Sequence, residues 1–260
     1  MTTTYETLRF ERTDDHIGIV TFDRPKALNA INSVLVHELG AVLAAHKGTG
    51  LRALVITGAG KAFAAGADIK EMSGYSALDA AFFSQQGQKT LGALESFDAP
   101  TIAAVNGYAL GGGCELAMCA DLILAGKRAL FGQPEVKLGV IPGFGGTQRL
   151  VRRVGRQRAL ELMMTGRNVR ADEAVKLGIA LEVVEGDVVE AALALARTIA
   201  ANGPAAVKLV KRAVHETDRL DIDAGLAAEA SLFGLCFSTD DQTEGMDAFI
   251  NKRPATFTGR

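Results

Sequence analysis

The 260-residue chain contains no tryptophan, only three cysteines, four histidines and six prolines, and no excess of charge of either sign. Cys114, Cys119 and Cys236 are sparse and odd in number, so no disulfide framework is expected and a reducing compartment is. Neither they nor His16, His37, His46 and His215 recur at metal-ligand spacing, so no metal is expected. Lys+Arg 28 against Asp+Glu 30 gives a formal net charge of -2. A general nucleic-acid binder carries a basic excess, so that class is set aside. The most apolar stretch, residues 101–126, is interrupted by Glu115 and Asp121. Charges there are costly at mid-bilayer, so the stretch is expected to be buried core and not a membrane span. Residues 1–15 carry Glu6, Glu11, Asp14 and Asp15 and have no apolar centre, unlike a secretory or transit segment. The expected protein is soluble and cytoplasmic, with neither membrane nor nucleic acid as a partner.

What is present is ordinary globular material, 48% hydrophobic and 22% charged, enough to bury a core without staples. Residues 7–12 and 16–22 read as strands joined by the polar turn Thr13-Asp14-Asp15. Ser33 is expected to cap a helix carrying Leu35, Val36, Leu39, Val42 and Leu43. Residues 53–57, 101–105 and 121–125 are short, wholly apolar runs, as in parallel strands covered on both faces. Residues 77–96 have helical spacing. The fold class expected is therefore α/β with much parallel sheet. From Gly145 onward the pattern is nearly all helical, with a helix at about 221–237, and no linker precedes it.

Several glycine motifs fail on inspection. Gly58-Ala59-Gly60 follows a strand, but a dinucleotide fingerprint would place its third glycine at Phe63. Gly60-Lys61 is followed by Ala62, so it is no P-loop. No Gly-x-Ser-x-Gly nucleophile elbow occurs.

Three segments carry chemistry. In Ala62-Phe63-Ala64-Ala65-Gly66-Ala67-Asp68-Ile69-Lys70-Glu71-Met72, tiny residues run into a helix start, where backbone N–H groups lack internal partners. They can donate to an anion or a polarised oxygen. In Asn106-Gly107-Tyr108-Ala109-Leu110-Gly111-Gly112-Gly113-Cys114-Glu115-Leu116, a strand enters three glycines and then a helix whose first turn holds Glu115 among apolar neighbours. The third runs Phe131-Gly132-Gln133-Pro134-Glu135-Val136-Lys137-Leu138-Gly139 and on through Ile141-Pro142-Gly143-Phe144-Gly145-Gly146-Thr147. Glu135 follows Glu115 by twenty residues with a strand between them. Two carboxylates can thus converge on one pocket, as general acid–base chemistry requires. Each feature also has a plain reading. Glu115 can serve the helix dipole, Glu135 a turn, and Asp68 an N-cap, the reading preferred for it. Lys70 and Glu71 fit a solvated face, Cys114 and Cys119 small buried hydrophobes, and His215 the surface. Tyr108 and Phe144 line a pocket or fill the core.

Taken together, the three segments resemble the enoyl-CoA hydratase (crotonase) family, and closest to its short-chain hydratases. The likeness runs from Asp23-Arg24-Pro25-Lys26-Ala27-Leu28-Asn29-Ala30 to Phe249-Ile250-Asn251-Lys252-Arg253. It implies a spiral of ββα units over residues 1–195. Residues 196–260 would be a helical region packed on that core or on a neighbouring subunit, in homotrimers often paired into hexamers. It implies an oxyanion hole at Ala67 and Gly112 and catalytic glutamates at Glu115 and Glu135. On the family's usual account Glu135 exchanges a proton at C2 of a trans-2-enoyl-CoA and Glu115 holds the water. The acyl-CoA substrate would thread along Ala65, Gly66, Asp68, Ile69 and Lys70 and pass Gly143. Lys70, Lys252 and Arg253 are candidates for its phosphates. Coenzyme A is part of the substrate, and neither cofactor nor metal is implied. Other crotonase-type reactions (isomerisation, decarboxylation, thioester hydrolysis) usually lack one of the two glutamates, so the presence of both favours hydration.

Overall fold

The short apolar runs resolve into two sheets in a computed structural model that describes residues 2–217 and 220–260. β1 (Thr2–Thr4), β2 (Leu8–Arg12) and β3 (Ile17–Phe22) form an antiparallel meander. α1 (Ser33–His46) follows, then β4 (Ala53–Gly58), β5 (Ala62–Ala64), α2 (Ile69–Met72) and α3 (Ala77–Glu95). Next come β6 (Thr101–Val105), β7 (Tyr108–Leu110), α4 (Gly112–Met118), β8 (Leu122–Gly126) and β9 (Leu130–Gly132). A 3-10 turn at Glu135–Leu138 leads to α5 (Gly146–Val154), α6 (Arg156–Thr165), β10 (Asn168–Arg170), α7 (Ala171–Leu177) and β11 (Glu182–Val184). α8 (Val188–Ala200), α9 (Pro204–Glu216), α10 (Ile222–Cys236) and α11 (Asp240–Ile250) close the chain.

The strands alternate between sheets. The seven-stranded sheet has the order β1-β2-β3-β4-β6-β8-β11, and the four-stranded sheet β10-β9-β7-β5. Each turn of chain (β4 then β5, β6 then β7, β8 then β9) adds one parallel strand to each sheet. This is the expected spiral of ββα units, and it advances by one strand per turn.

Side-chain alternation on the central strands builds two cores. Ala53, Val55, Ile102, Ala104 and Leu124 meet Val188, Ala192, Leu193 and Ala196 of α8. Leu54, Ile56, Ala103, Val105 and Ile123 face the other way, toward α1, α3 and the small sheet. With both faces covered, these strands are continuously apolar, which is why the sequence reveals them. Phe63 is fully buried on the small sheet and meets the Phe22 ring edge-on at 5.7 Å.

Local details depart from the sequence reading. The side chain that caps α1 is Asn32, which accepts from Leu35 N at 2.9 Å; Ser33 is the first helical residue. β8 starts one residue later than expected, because Asp121 turns away to accept from Thr101 N at 2.7 Å. Residues 168–170 and 182–184 are strands inside the stretch expected to be helical. Three residues are too few to display a period. His215 is not a bare surface group: Asp121 receives its Nε2 at 3.0 Å and Lys211 Nζ at 2.8 Å, fastening α9 to the core. Among the described residues no helix is long and apolar enough to cross a membrane.

Phe63→Ala should leave an unfilled void between the sheets and cost about 3–5 kcal/mol of unfolding free energy. Urea unfolding followed by circular dichroism would measure it.

Candidate active site

β5, β7 and β9 are parallel neighbours, so their carboxyl ends emerge side by side. The three segments singled out in the sequence leave from those three ends. Segments far apart in sequence thus meet at one edge of the small sheet, where open α/β sheets commonly hold ligands.

The loop after β5 is fixed by a single bridge. Ile31 N donates to Gly66 O at 2.8 Å, and Asp68 N donates to Ile31 O at 2.8 Å. Ala67, between these partners, turns its own N–H to the opposite side. Among the described residues that N–H has no acceptor. Gly66 adopts a left-handed φ of 112° and lies against Leu110.

The loop after β7 explains its three glycines one by one. Gly111 has φ 50°, and a Cβ there would stand 2.9 Å from Glu135 Oε1. A Cβ on Gly112 would press on the Phe144 ring at 3.2 Å, and one on Gly113 would collide with Ala64 O. α4 can therefore seat its first turn directly on β5. Gly112 opens the helix, so its N–H has no intrahelical acceptor.

Glu115 lies one turn into α4 and is 1% exposed. Its Oε1 accepts from Phe144 N at 2.8 Å and Gly146 N at 2.6 Å. Burial raises its pKa, and the two N–H donors and the Arg149 charge oppose the rise. Glu135 is half-buried at the start of the 3-10 turn. Burial raises its pKa to about 7, and the charge of Glu115 adds to the rise. In the orientation that satisfies its neighbours, the buried Gln133 amide donates to Glu135 Oε1 at 2.9 Å and Oε2 at 3.2 Å. The edge thus combines two backbone N–H groups, free of intrachain acceptors among the described residues, with two carboxyls whose pKa values burial raises, that of Glu135 to about 7.

A family model described as enoyl-CoA hydratase/isomerase matches residues 12–260. The chain belongs to that family. It is 48% identical over 240 residues to the short-chain-enoyl-CoA hydratase of Clostridium acetobutylicum, covering 91% of this chain and 92% of that one. It is 45% identical over 259 residues to the crotonyl-CoA hydratase of Syntrophomonas wolfei, covering 98% and 99%. The solved enoyl-CoA hydratase of Bacillus anthracis superposes with a TM-score of 0.95 at 36% identity, over 98% of this chain and 100% of that one. The fold is thus the crotonase-like one of the solved hydratases, and the chain is an enzyme of this hydro-lyase family.

The remaining expected residues differ in how far the protein itself engages them. Asp68 caps α2 through Lys70 N at 3.2 Å and pairs with Arg24 at 3.0 Å, so its carboxylate is engaged by the protein. Ala65 N donates to Leu28 O at 3.0 Å, while Ile69 and Lys70 are exposed at the rim. Glu71, expected on a solvated face, instead accepts from Ser33 N at 3.1 Å and Tyr75 Oη at 2.8 Å. Gly143 turns its carbonyl to Ser84 Oγ at 2.6 Å and Gln88 Nε2 at 2.9 Å on α3. Lys252 is exposed, whereas Arg253 is ion-paired with Glu244 at 2.7 Å and Asp247 at 2.6 Å. Phe144 is a core side chain, stacked edge-on with Phe83 at 5.2 Å, while Tyr108 is partly exposed. The residues that sequence reasoning missed are Gln133, Arg149 and the N–H groups of Phe144 and Gly146. Only the glycine cluster at 143–146 pointed toward them.

The raised pKa of Glu135 predicts a stability signature. Its contribution is fully present below the ordinary carboxylate range and is lost as pH rises through about 7. Glu135→Gln should therefore raise Tm relative to wild type at pH 8 and leave it nearly unchanged at pH 4. Thermal melts at both values would show this.

Proposed function

We propose that the chain is an enoyl-CoA hydratase, adding water across the C2–C3 double bond of a trans-2-enoyl-CoA to give a 3-hydroxyacyl-CoA. The reading rests on one observation above the others. Two backbone N–H groups, of Ala67 and Gly112, and two carboxyls, of Glu115 and Glu135, share the same edge of the small sheet. In this reading the thioester carbonyl accepts hydrogen bonds from Ala67 N and Gly112 N. Charge builds on that oxygen as water adds, so fixed donors stabilise the transition state more than the ground state. Loss of one such donor typically costs about 2.7–4 kcal/mol of barrier. Polarisation makes C3 electrophilic. The water oxygen bonds to C3, and C2 gains a proton.

Glu115, held by two donors that favour its ionised form, suits the orienting and deprotonating of water. Glu135, with a pKa near neutrality, suits the delivery of a proton to C2. The two carboxyls interact, so their protons belong to the pair. The coenzyme A moiety, which is part of the substrate, would follow the backbone of Ala65, Gly66, Asp68 and Ile69. The exposed Lys70 and Lys252 are candidates for its phosphates by their charge. Arg253 would first have to leave its two carboxylates. No further cofactor enters the proposed step.

The same reading makes the chain one subunit of a homotrimer, or of a hexamer built from two. In its support, α9 and α10 present Val210, Val214, Ile222, Leu226 and Phe233 to solvent, and α11 presents Phe249 and Ile250. Large apolar surfaces of this kind usually meet a partner. A cytoplasmic location accords with the three cysteines, which are all free.

The purified protein should consume crotonyl-CoA rapidly, read as loss of the conjugated enoyl-thioester absorbance. Glu115→Gln and Glu135→Gln should each lower kcat by at least about 10²-fold, the lower range for positioned acid–base groups. Turnover in either variant at the wild-type rate would count against the assigned roles.

A further inference from the structure

A cavity of about 790 Å³ is bordered by Glu95 at the end of α3, Cys119 just after α4, and Gly145, Arg149 and Arg153 in and before α5. Its guanidinium groups already have acceptors within the chain. Arg153 donates to Met118 O and Ala120 O, and Arg152 to Gln148 O. Arg149 differs in what it grips. Its Nε and Nη2 meet Glu95 Oε1 and Oε2 at 3.0 and 2.9 Å, a two-pronged pair between α5 and α3. Its Nη1 donates to Phe144 O at 2.9 Å. Phe144 thus has two backbone anchors: its N–H holds Glu115, and its carbonyl is held by Arg149. Gly145 makes this possible. It has φ 105°, and a Cβ there would collide with Arg149 Nη1. The guanidinium therefore lies across the bare turn, with both Glu115 donors at its ends.

We propose that Arg149, held in place by Glu95, is a positioning residue for the reaction. It braces the Phe144–Gly146 turn so that two N–H groups stay aimed at one oxygen of Glu115. The inference rests on the hydratase reading of the site and adds to it a pair outside the pocket. A planar, two-pronged guanidinium fits this role, because a carboxylate fixes one edge while a separate N–H reaches a carbonyl. Lysine has a single point of charge and cannot do both. The positive charge also favours the ionised form of Glu115. The other groups that interact with Glu115 are Glu135 across the site, Cys114 on its own helix and Cys119 at that helix's C-cap, while Glu95 on α3 and Arg153 on α5 act on Cys119.

The test is steady-state hydration of crotonyl-CoA across pH by wild type, Arg149→Met, Arg149→Lys and Glu95→Gln, with thermal melts of each. Glu95 is the more exposed partner, so Glu95→Gln probes the brace separately should an Arg149 variant fold poorly. Displacing a positioned group by about 1 Å can cost about 10²-fold, so Arg149→Met should lose about that much kcat and Glu95→Gln about tenfold. KM should stay within about twofold, because the pair does not touch substrate. Without the guanidinium charge the acid limb of the pH profile should move to higher pH in Arg149→Met. Arg149→Lys should keep the wild-type limb and regain only part of kcat. Lower melting temperatures with unchanged kcat and an unmoved pH profile would reduce the pair to a structural role and overturn the proposal. If wild type itself does not hydrate crotonyl-CoA, the hydratase reading fails, and this inference with it. An active wild type with unaltered variants overturns this inference alone.

Discussion

Two backbone N–H groups aimed at one oxygen of Glu115 are the constraint to which much of this molecule is fitted. A carboxyl at 1% exposure has almost no water. Ionised, it is tolerable there only because charge-assisted hydrogen bonds replace the lost solvent. Those bonds, at 2.6 and 2.8 Å, come from a turn and not from a regular element. The turn must therefore be held from outside. Gly145 supplies its left-handed step. Gly146 leaves no Cβ between the turn and Glu115; one there would stand 3.0 Å from the Glu115 side chain. Phe144 packs its ring on Gly112 and Phe83, tying the same turn to the donor loop and to α3.

The second constraint is the spiral. Because each turn of chain places one strand in each sheet, β5, β7 and β9 end at a common edge. A loop of small residues, a glycine-led helix and a glutamate turn become neighbours without any being near another in sequence. Close approach then dictates composition. Gly113 is forced by Ala64 O and Gly111 by its own backbone, at φ 50° and ψ -125°, so glycines that look like a costly excess along the chain are required by the packing and the turn. The two carboxyls differ because their surroundings differ. Glu115 has two N–H donors opposing its burial. Glu135 has the Gln133 amide beside it, with burial and a like charge pushing its pKa up.

Much of this was legible in the residues. Residues 101–105 are a strand at the expected bounds, because a strand covered on both faces is apolar throughout and carries its own signature. α3 and α10 fall within one residue of the expected helices, because long periodic segments announce themselves. The small sheet was not visible. Its strands have three residues each, and their order depends on contacts between distant segments. At the site, the loops bearing Ala67 and Gly112 and the two glutamates stood out by residue type. Gln133 and Arg149 did not, since an amide and an arginine look the same in a sequence whether they face solvent or a buried carboxyl. Glu71 misled for a related reason: its partners, Ser33 and Tyr75, are set by the packing of α1 and α2.

The central claim is that Ala67 N and Gly112 N polarise a thioester carbonyl placed between the two carboxyls. The direct measurement is the infrared carbonyl stretch of crotonyl-CoA labelled with carbon-13 at C1 and bound to Glu135→Gln, where turnover is slow. The account predicts a clear shift to lower wavenumber than in free crotonyl-CoA, as expected for a carbonyl drawn toward enolate by two fixed donors. A bound substrate whose stretch stays at the solution value would contradict it.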